Sequence, residues 1–460
     1  MLIRFTVSNF LSFDEETVFD MLASSSAEHP DHVSAIGNVK VVKNAAIYGA
    51  NGSGKSNLVR AIDTFISIIK NGKLSENINT YKFKLNPESK DLPVKFEMEF
   101  SIGDTMYLYG IECNNKTIEH EWLYDTTDPV NDELLLERKT VGNRSYEIEF
   151  CQKWNETPEQ KGINRVLKNN LLVDDQLVFH HLESLRIDEL SEIHEYLSNN
   201  IIIIKQNFEP RNYFPFLRTK IETEAASDLI RKFDTGISSI YFDEIDLDSI
   251  LADYKGFVEK YNITLGQKEI EDAKNIEEST FKKITKDSVF LKINGKVVFR
   301  KIFYNHKNEF HNDISFSLEE ESDGTRKVIN FLPIIIDQSI VDTVYIIDEI
   351  DNSLHPNLCY EFVKLLMTDR KENSQINYLD FTKRKKNSQI IFTTHQPNLL
   401  TRELFRDDEI WFVEKDKHKG NTSLYPLFEF DVKEGFNIQD GYLLGRFGGV
   451  PILDTHNFML

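Results

Sequence analysis

Long apolar runs are missing from this 460-residue chain. No stretch approaches the ~20 apolar residues that a membrane-spanning helix requires, so none is expected to cross a bilayer. Cysteine is scarce too. Cys113, Cys151 and Cys359 are far apart and odd in number, which excludes a disulfide framework and a cysteine-built zinc site and suits a reducing cytosol. The opening Met1-Leu2-Ile3-Arg4-Phe5-Thr6-Val7 lacks the charged-then-apolar layout of a secretion signal and alternates like a strand, so a cytoplasmic protein is expected. Positive charge is outnumbered, 54 Lys and Arg against 75 Asp and Glu, for a net charge of −21. Such a field repels phosphate backbones, so general affinity for nucleic acid is not expected, although a local basic groove stays open. The densest basic run, Lys383-Arg384-Lys385-Lys386, reads as a solvated loop ahead of a strand. Sustained heptads and internal repeats are lacking, which excludes a long coiled-coil arm. What remains, 40% hydrophobic and 28% charged residues, is the make-up of an ordinary soluble globular protein.

Against these absences stands Gly49-Ala50-Asn51-Gly52-Ser53-Gly54-Lys55-Ser56, which fits G-x-x-x-x-G-K-[S/T]. The β-prone Ala45-Ala46-Ile47-Tyr48 precedes it, and a helix-period segment opening at Asn57 follows. Glycines let the backbone curl so that successive N–H groups face a phosphate, helped by the positive end of the next helix. Lys55 is expected to reach the β- and γ-phosphates, and the Ser56 hydroxyl to ligate Mg²⁺. The pattern predicts a nucleoside triphosphate site, with Gly49 through Asn57 as its cradle.

A second cluster lies near the other end. Val344-Tyr345-Ile346-Ile347 is an apolar strand running into Asp348 and Glu349, and such strand ends are where α/β folds deliver metal and catalytic groups. Asp348 is expected in the Mg²⁺ shell, and Glu349 as the group that orients or deprotonates the attacking water. Gln389 to Thr394 is another apolar strand, ending in His395, whose neutral imidazole could hydrogen-bond the γ-phosphate or the water. Ser322-Asp323-Gly324-Thr325 precedes the apolar stretch Val328 to Ile336, which reads as a buried helix or strand. Ser322 and Gly324 there suit a helix start that offers a hydroxyl and free N–H groups.

Between these clusters, residues 94–111 read as a hairpin about Gly103-Asp104, with a further strand near 146–150. The span 155–275 reads as helical and charged, with helices over 188–197 and 222–233 and one buried strand at 201–204, and 267–286 reads as a charged segment expected to be mobile. Asn294-Gly295 between alternating runs predicts a second hairpin. Three units are expected: 1–150 with the phosphate loop and a β subdomain, a helical insertion over 151–287, and 288–460 with the second cluster.

In this order, these motifs resemble the head of an ABC-type ATPase, and Ser8-Asn9-Phe10-Leu11-Ser12-Phe13 resembles the opening strand and turn of the SMC, RecF and OLD-like branch. The resemblance implies an α/β P-loop fold with a mixed sheet, an antiparallel β subdomain and a helical insertion. It implies ATP and Mg²⁺ as ligands, and Ser322 to Thr325 as the signature that caps the γ-phosphate held by a second copy. It also implies Asp351 in a loop that communicates between the two sites. Glu321, Asp323 and Thr325 depart from the usual Leu-Ser-Gly-Gly-Gln. The 65 residues beyond His395 are too few for a Toprim nuclease domain. The closing Gly441-Tyr442-Leu443-Leu444-Gly445-Arg446-Phe447-Gly448-Gly449-Val450-Pro451 is similar to stand-alone anti-phage ATPases of the RloA and AriA type, the latter from PARIS systems. That likeness implies an oligomeric sensor and scaffold holding a separate nuclease until a phage-encoded trigger appears. A RecF-like repair or recombination ATPase is the alternative.

Overall fold

The computed structural model describes residues 1–74, 77–167, 172–181, 187–205, 220–277, 280–337, 342–367, 387–433 and 435–450. The chain opens with β1 (Leu2–Ser8) and β2 (Thr17–Asp20), a short ribbon of β3 (Val33–Ile36) and β4 (Val39–Val42), then β5 (Asn44–Gly49) and α1 (Lys55–Asn71). Five antiparallel strands follow: β6 (Val94–Ile102), β7 (Thr105–Asn114), β8 (Thr117–Asp125), β9 (Glu133–Gly142) and β10 (Ser145–Phe150). The middle of the chain holds α2 (Pro158–Val166), α3 (Asp188–Asn199), β11 (Ile201–Ile204), α4 (Lys220–Ile230) and β12 (Ile237–Asp246). Three short helices come next, α5 (Leu247–Ala252), α6 (Tyr254–Tyr261) and α7 (Gln267–Lys274), before β13 (Phe281–Lys283), β14 (Ser288–Ile293), β15 (Lys296–Lys307) and β16 (Asp313–Phe316). The last third carries α8 (Asp323–Asp337), β17 (Val344–Ile347), α9 (Pro356–Met367), β18 (Gln389–Thr393), β19 (Ile410–Lys415), β20 (Thr422–Pro426) and α10 (Ile438–Leu443).

The sheet that matters most runs β11-β17-β18-β5-β19-β20, parallel except for its last pair. Its inner strands β17, β18 and β5 are buried along their whole length because both faces are covered. Alternate residues go to different cores. Ala45 and Ile47 of β5, with Val344 and Ile346 of β17, join the core that includes α1 and the antiparallel strands. Ala46, Tyr48, Tyr345 and Ile347 face the opposite core with α8 and α9. A seven-stranded antiparallel sheet, β10-β9-β8-β7-β6-β1-β2, lies over the first core. A third, smaller core gathers Leu247, Ile250, Phe257 and Tyr261 against Phe290 and Phe299 of a sheet ordered β12-β15-β14-β13.

Both expected hairpins form. β6 and β7 meet about Gly103, and Asn294 and Gly295 turn between β14 and β15 with φ of 50° and 76°, the left-handed pair that such a turn demands. The apolar stretch after Thr325 is a helix. The charged span corrects expectation in one place, for Ile237–Asp246 is a ten-residue strand. The segment 267–286 holds α7 and β13. Acidic residues hid β12, because Asp243 and Glu244 are paired with Lys260 and Arg300 and so sit on a strand that shows no apolar alternation. The basic run Lys383 to Lys386 lies outside the described residues.

Candidate nucleotide site

Parallel pairing sets Ile346 beside Ile391, Ile391 beside Ala45, and Ala46 beside Ile410. The carboxyl ends of β17, β18 and β5 therefore share one edge, where open α/β sheets bind ligands. Asp348 and Glu349 follow β17, His395 follows β18, and the phosphate loop follows β5.

The loop is held in shape from several directions. Gly52 and Gly54 have φ of 77° and 120°, which only glycine adopts freely. At Gly49 a side chain would collide with the Val413 carbonyl, 2.5 Å from the added carbon, because β19 runs directly alongside. Residues from both chain ends close over Gly54. The Thr422 hydroxyl lies 2.8 Å from the Ser12 Oγ and 2.8 Å from the Ser53 carbonyl, and Asn57 Nδ2 donates to the same Ser12 Oγ at 2.8 Å. The backbones join as well, with Thr422 N–H donating to the Ser12 carbonyl. The Ser53 Oγ is buried with no partner among the described residues.

Lys55 is buried, and its Nζ turns back to donate to the carbonyls of Gly49 (2.7 Å) and Ala50 (3.1 Å). Burial pulls its pKa down to about 8, against the charges of Glu349, Asp348 and Asp351, which raise it. Ser56 Oγ donates to Asp348 Oδ1 at 3.1 Å, and Thr393 Oγ1 donates to the same oxygen at 2.8 Å. Ser56 and Asp348 offer the hard oxygen donors that would suit Mg²⁺. Glu349 adopts a left-handed backbone, φ 53°, which costs a non-glycine residue about 1–3 kcal/mol and persists only where neighbours over-determine it. Its N–H donates to Thr393 Oγ1 at 2.7 Å and its carbonyl accepts from Lys327 Nζ at 2.8 Å. His395 N–H is 3.3 Å from an Asp351 carboxylate oxygen. Burial, and then the charge of Lys55, lower the His395 pKa below the usual imidazole value, so the ring is neutral at pH 7.

Ser322 caps α8, its Oγ accepting from Thr325 N–H at 3.1 Å, while Asp323 pairs with Arg326. Ser322 and Asp323 are exposed. The fold gathers Lys55, Ser56, Asp348, Glu349 and His395. Among the described residues no hydrogen bond or ion pair ties Ser322 to Thr325 to the phosphate loop of the same chain, although Gly324 packs against the Ser353 carbonyl and Lys327 reaches the Glu349 carbonyl. Sequence reasoning missed Thr393, Thr422 and Lys327. A further trio, His29, Asp31 and His32, has the donor types for a metal. Their donor atoms lie within 4.8 Å of one another, the two rings stack at 4.7 Å and 19°, and one nitrogen of each ring is tied to the Arg402 carbonyl or the Glu409 carboxylate.

Residues 45–401 match the family described as "AAA domain, putative AbiEii toxin, Type IV TA system". A solved structure, the SMC head domain from Thermotoga maritima, is similar over 92% of this chain and 98% of its own, with 11% identity and a TM-score of 0.35. No curated protein matches.

Proposed function

Since this chain belongs to that AAA-domain family, we propose that it binds ATP with Mg²⁺ and hydrolyses it at a site completed by a second copy of itself. The observation that carries the reading is the shared strand edge: Ser56 donates to Asp348, Thr393 bonds both Asp348 and the Glu349 N–H, and His395 N–H faces Asp351, while Ser322 and Asp323 stand exposed. In this reading the N–H groups of Gly49 to Asn57 cradle the phosphates and Lys55 leaves its two carbonyls for the β- and γ-oxygens. Ser56 and Asp348 would hold the magnesium, which when bound neutralises charge developing on the phosphate oxygens. Glu349 accepts a proton from the water that attacks the γ-phosphorus as the bond to the β–γ bridging oxygen breaks, giving ADP and inorganic phosphate. Neutral His395 hydrogen-bonds the γ-phosphate or the water. Ser322 to Thr325 of the other copy cap the γ-phosphate with a hydroxyl and helix-start N–H groups.

Purified chain with ATP and magnesium tests this. Glu349→Gln should keep ATP binding, lose hydrolysis by orders of magnitude and accumulate a closed pair, whereas Lys55→Ala should lose nucleotide. Hydrolysis at the wild-type rate by Glu349→Gln would remove Glu349 from its role.

The wider reading is that of an oligomeric sensor and scaffold in anti-phage defence, holding a separate Toprim-type nuclease until a phage-encoded trigger arrives. The family's description, which names a toxin and a Type IV TA system, supports it, as does the resemblance of the closing segment. Co-purification with the neighbouring gene products should bring down a nuclease. ATP-dependent DNA binding with a steep salt slope and no protein partner would instead favour a RecF-like repair ATPase.

A further inference from the structure

The peptide of Glu349 is gripped at both ends by residues from separate elements. On the amide side, Thr393 of β18 accepts the Glu349 N–H at 2.7 Å and with the same hydroxyl donates to Asp348 Oδ1 at 2.8 Å, so one buried oxygen fixes both acids. The next peptide is tied to the same residue, Ile350 N–H donating to the Thr393 carbonyl at 3.0 Å. On the carbonyl side, Lys327 of α8 donates at 2.8 Å, its ammonium lying 5.5 Å from the centre of the Phe331 ring. Between these grips Glu349 sits at φ 53°, a conformation that an unrestrained glutamate leaves.

We propose that Thr393 and Lys327 are positioning residues that lock the Glu349 peptide in its left-handed conformation and thereby aim the carboxylate at the attacking water. This rests on the hydrolytic reading above. Neither residue touches the reacting atoms in that scheme. Thr393 acts through Asp348 and the Glu349 amide, and Lys327 acts through the Glu349 carbonyl alone, so its loss should alter turnover with no direct effect on metal or phosphate.

The test is steady-state ATP hydrolysis by full-length chain carrying Thr393→Val, Thr393→Ser, Lys327→Met or Lys327→Arg, each also combined with Glu349→Gln. Thr393→Val and Lys327→Met should lower kcat at least about tenfold with ATP affinity changed less than about threefold. Thr393→Ser, which keeps the hydroxyl, should return kcat to within about threefold of wild type, and Lys327→Arg should recover part of the loss. In the Glu349→Gln background Lys327→Met, which acts through Glu349 alone, should not lower the residual rate further, because groups acting through one residue do not add. Additive losses for Lys327→Met and Glu349→Gln, or wild-type kcat in Thr393→Val and Lys327→Met while Glu349→Gln is inactive, would overturn the clamp. Full activity in Glu349→Gln itself would overturn the hydrolytic reading instead, so the two failures are distinguishable. Should Thr393→Val not fold, the Lys327 pair carries the same decision.

Discussion

Two lysines beneath the site are held at an energetic disadvantage. Burial draws both Lys55 and Lys327 from the ordinary lysine value of 10.5 down to about 8, with neighbouring acids opposing the shift. Between about pH 8 and 10.5 the unfolded chain therefore binds more protons than the folded one, and each lysine adds stability as pH rises through that window. Melting temperatures of wild type and Lys327→Met, compared from pH 8 to 10, should show the wild type gaining on the variant. A constant difference would mean that Lys327 titrates as in water. The comparison cancels the opposing effect of a net charge already at −21. His395 runs the other way in activity: its lowered pKa should carry hydrolysis to pH values below the ordinary histidine range, and His395→Gln should lose that acid limb. At this scale the sequence was legible where one short motif contains the chemistry, as in Gly49 to Ser56 or Asp348-Glu349. It was opaque where a side chain answers a distant backbone group. Nothing in Thr325-Arg326-Lys327 announces that the amine reaches a carbonyl 22 residues on.

Among elements, the phosphate loop is the one most dependent on others for its shape. β5 and α1 are readable from an apolar run, a glycine turn and a helical period. The bracket over Gly54 is not, because Ser12 and Thr422 lie 410 residues apart. Thr422→Val keeps the shape of the side chain and deletes two hydrogen bonds, each worth about 1 kcal/mol net. ATP affinity, read by titration of a fluorescent analogue, should weaken roughly tenfold, and Thr422→Ser should stay within about threefold of wild type. Equal affinity in all three would show that the loop keeps its curl unaided. β12 escaped sequence reading for a related cause: the lysine and arginine that make its acids tolerable come from α6 and β15.

For the molecule as a whole, the exposure of Ser322 and Asp323, with no hydrogen bond or ion pair from Ser322 to Thr325 to the phosphate loop among the described residues, makes a mixing experiment decisive. A chain with Lys55→Ala lacks a working loop but keeps its capping quartet. A chain with Ser322→Arg keeps its loop and blocks the cap. Each alone should be inactive. Mixed, they should regain hydrolysis to roughly a quarter of wild type, because half of the pairs are mixed and each mixed pair has one intact site of two. No recovery would place the whole site within a single chain.

The central sheet has a consequence for how the protein is made. β5 pairs on one side with β18 and on the other with β19, so the strand that carries the phosphate loop, complete by residue 49, acquires both neighbours only when residues 389–415 exist. A chain leaving the ribosome must carry that apolar strand without either partner through more than three hundred further residues, and contacts so distant in sequence form slowly. Synthesis rate and chaperone supply should therefore govern yield far more than they do for a protein whose strands pair with the ones just made.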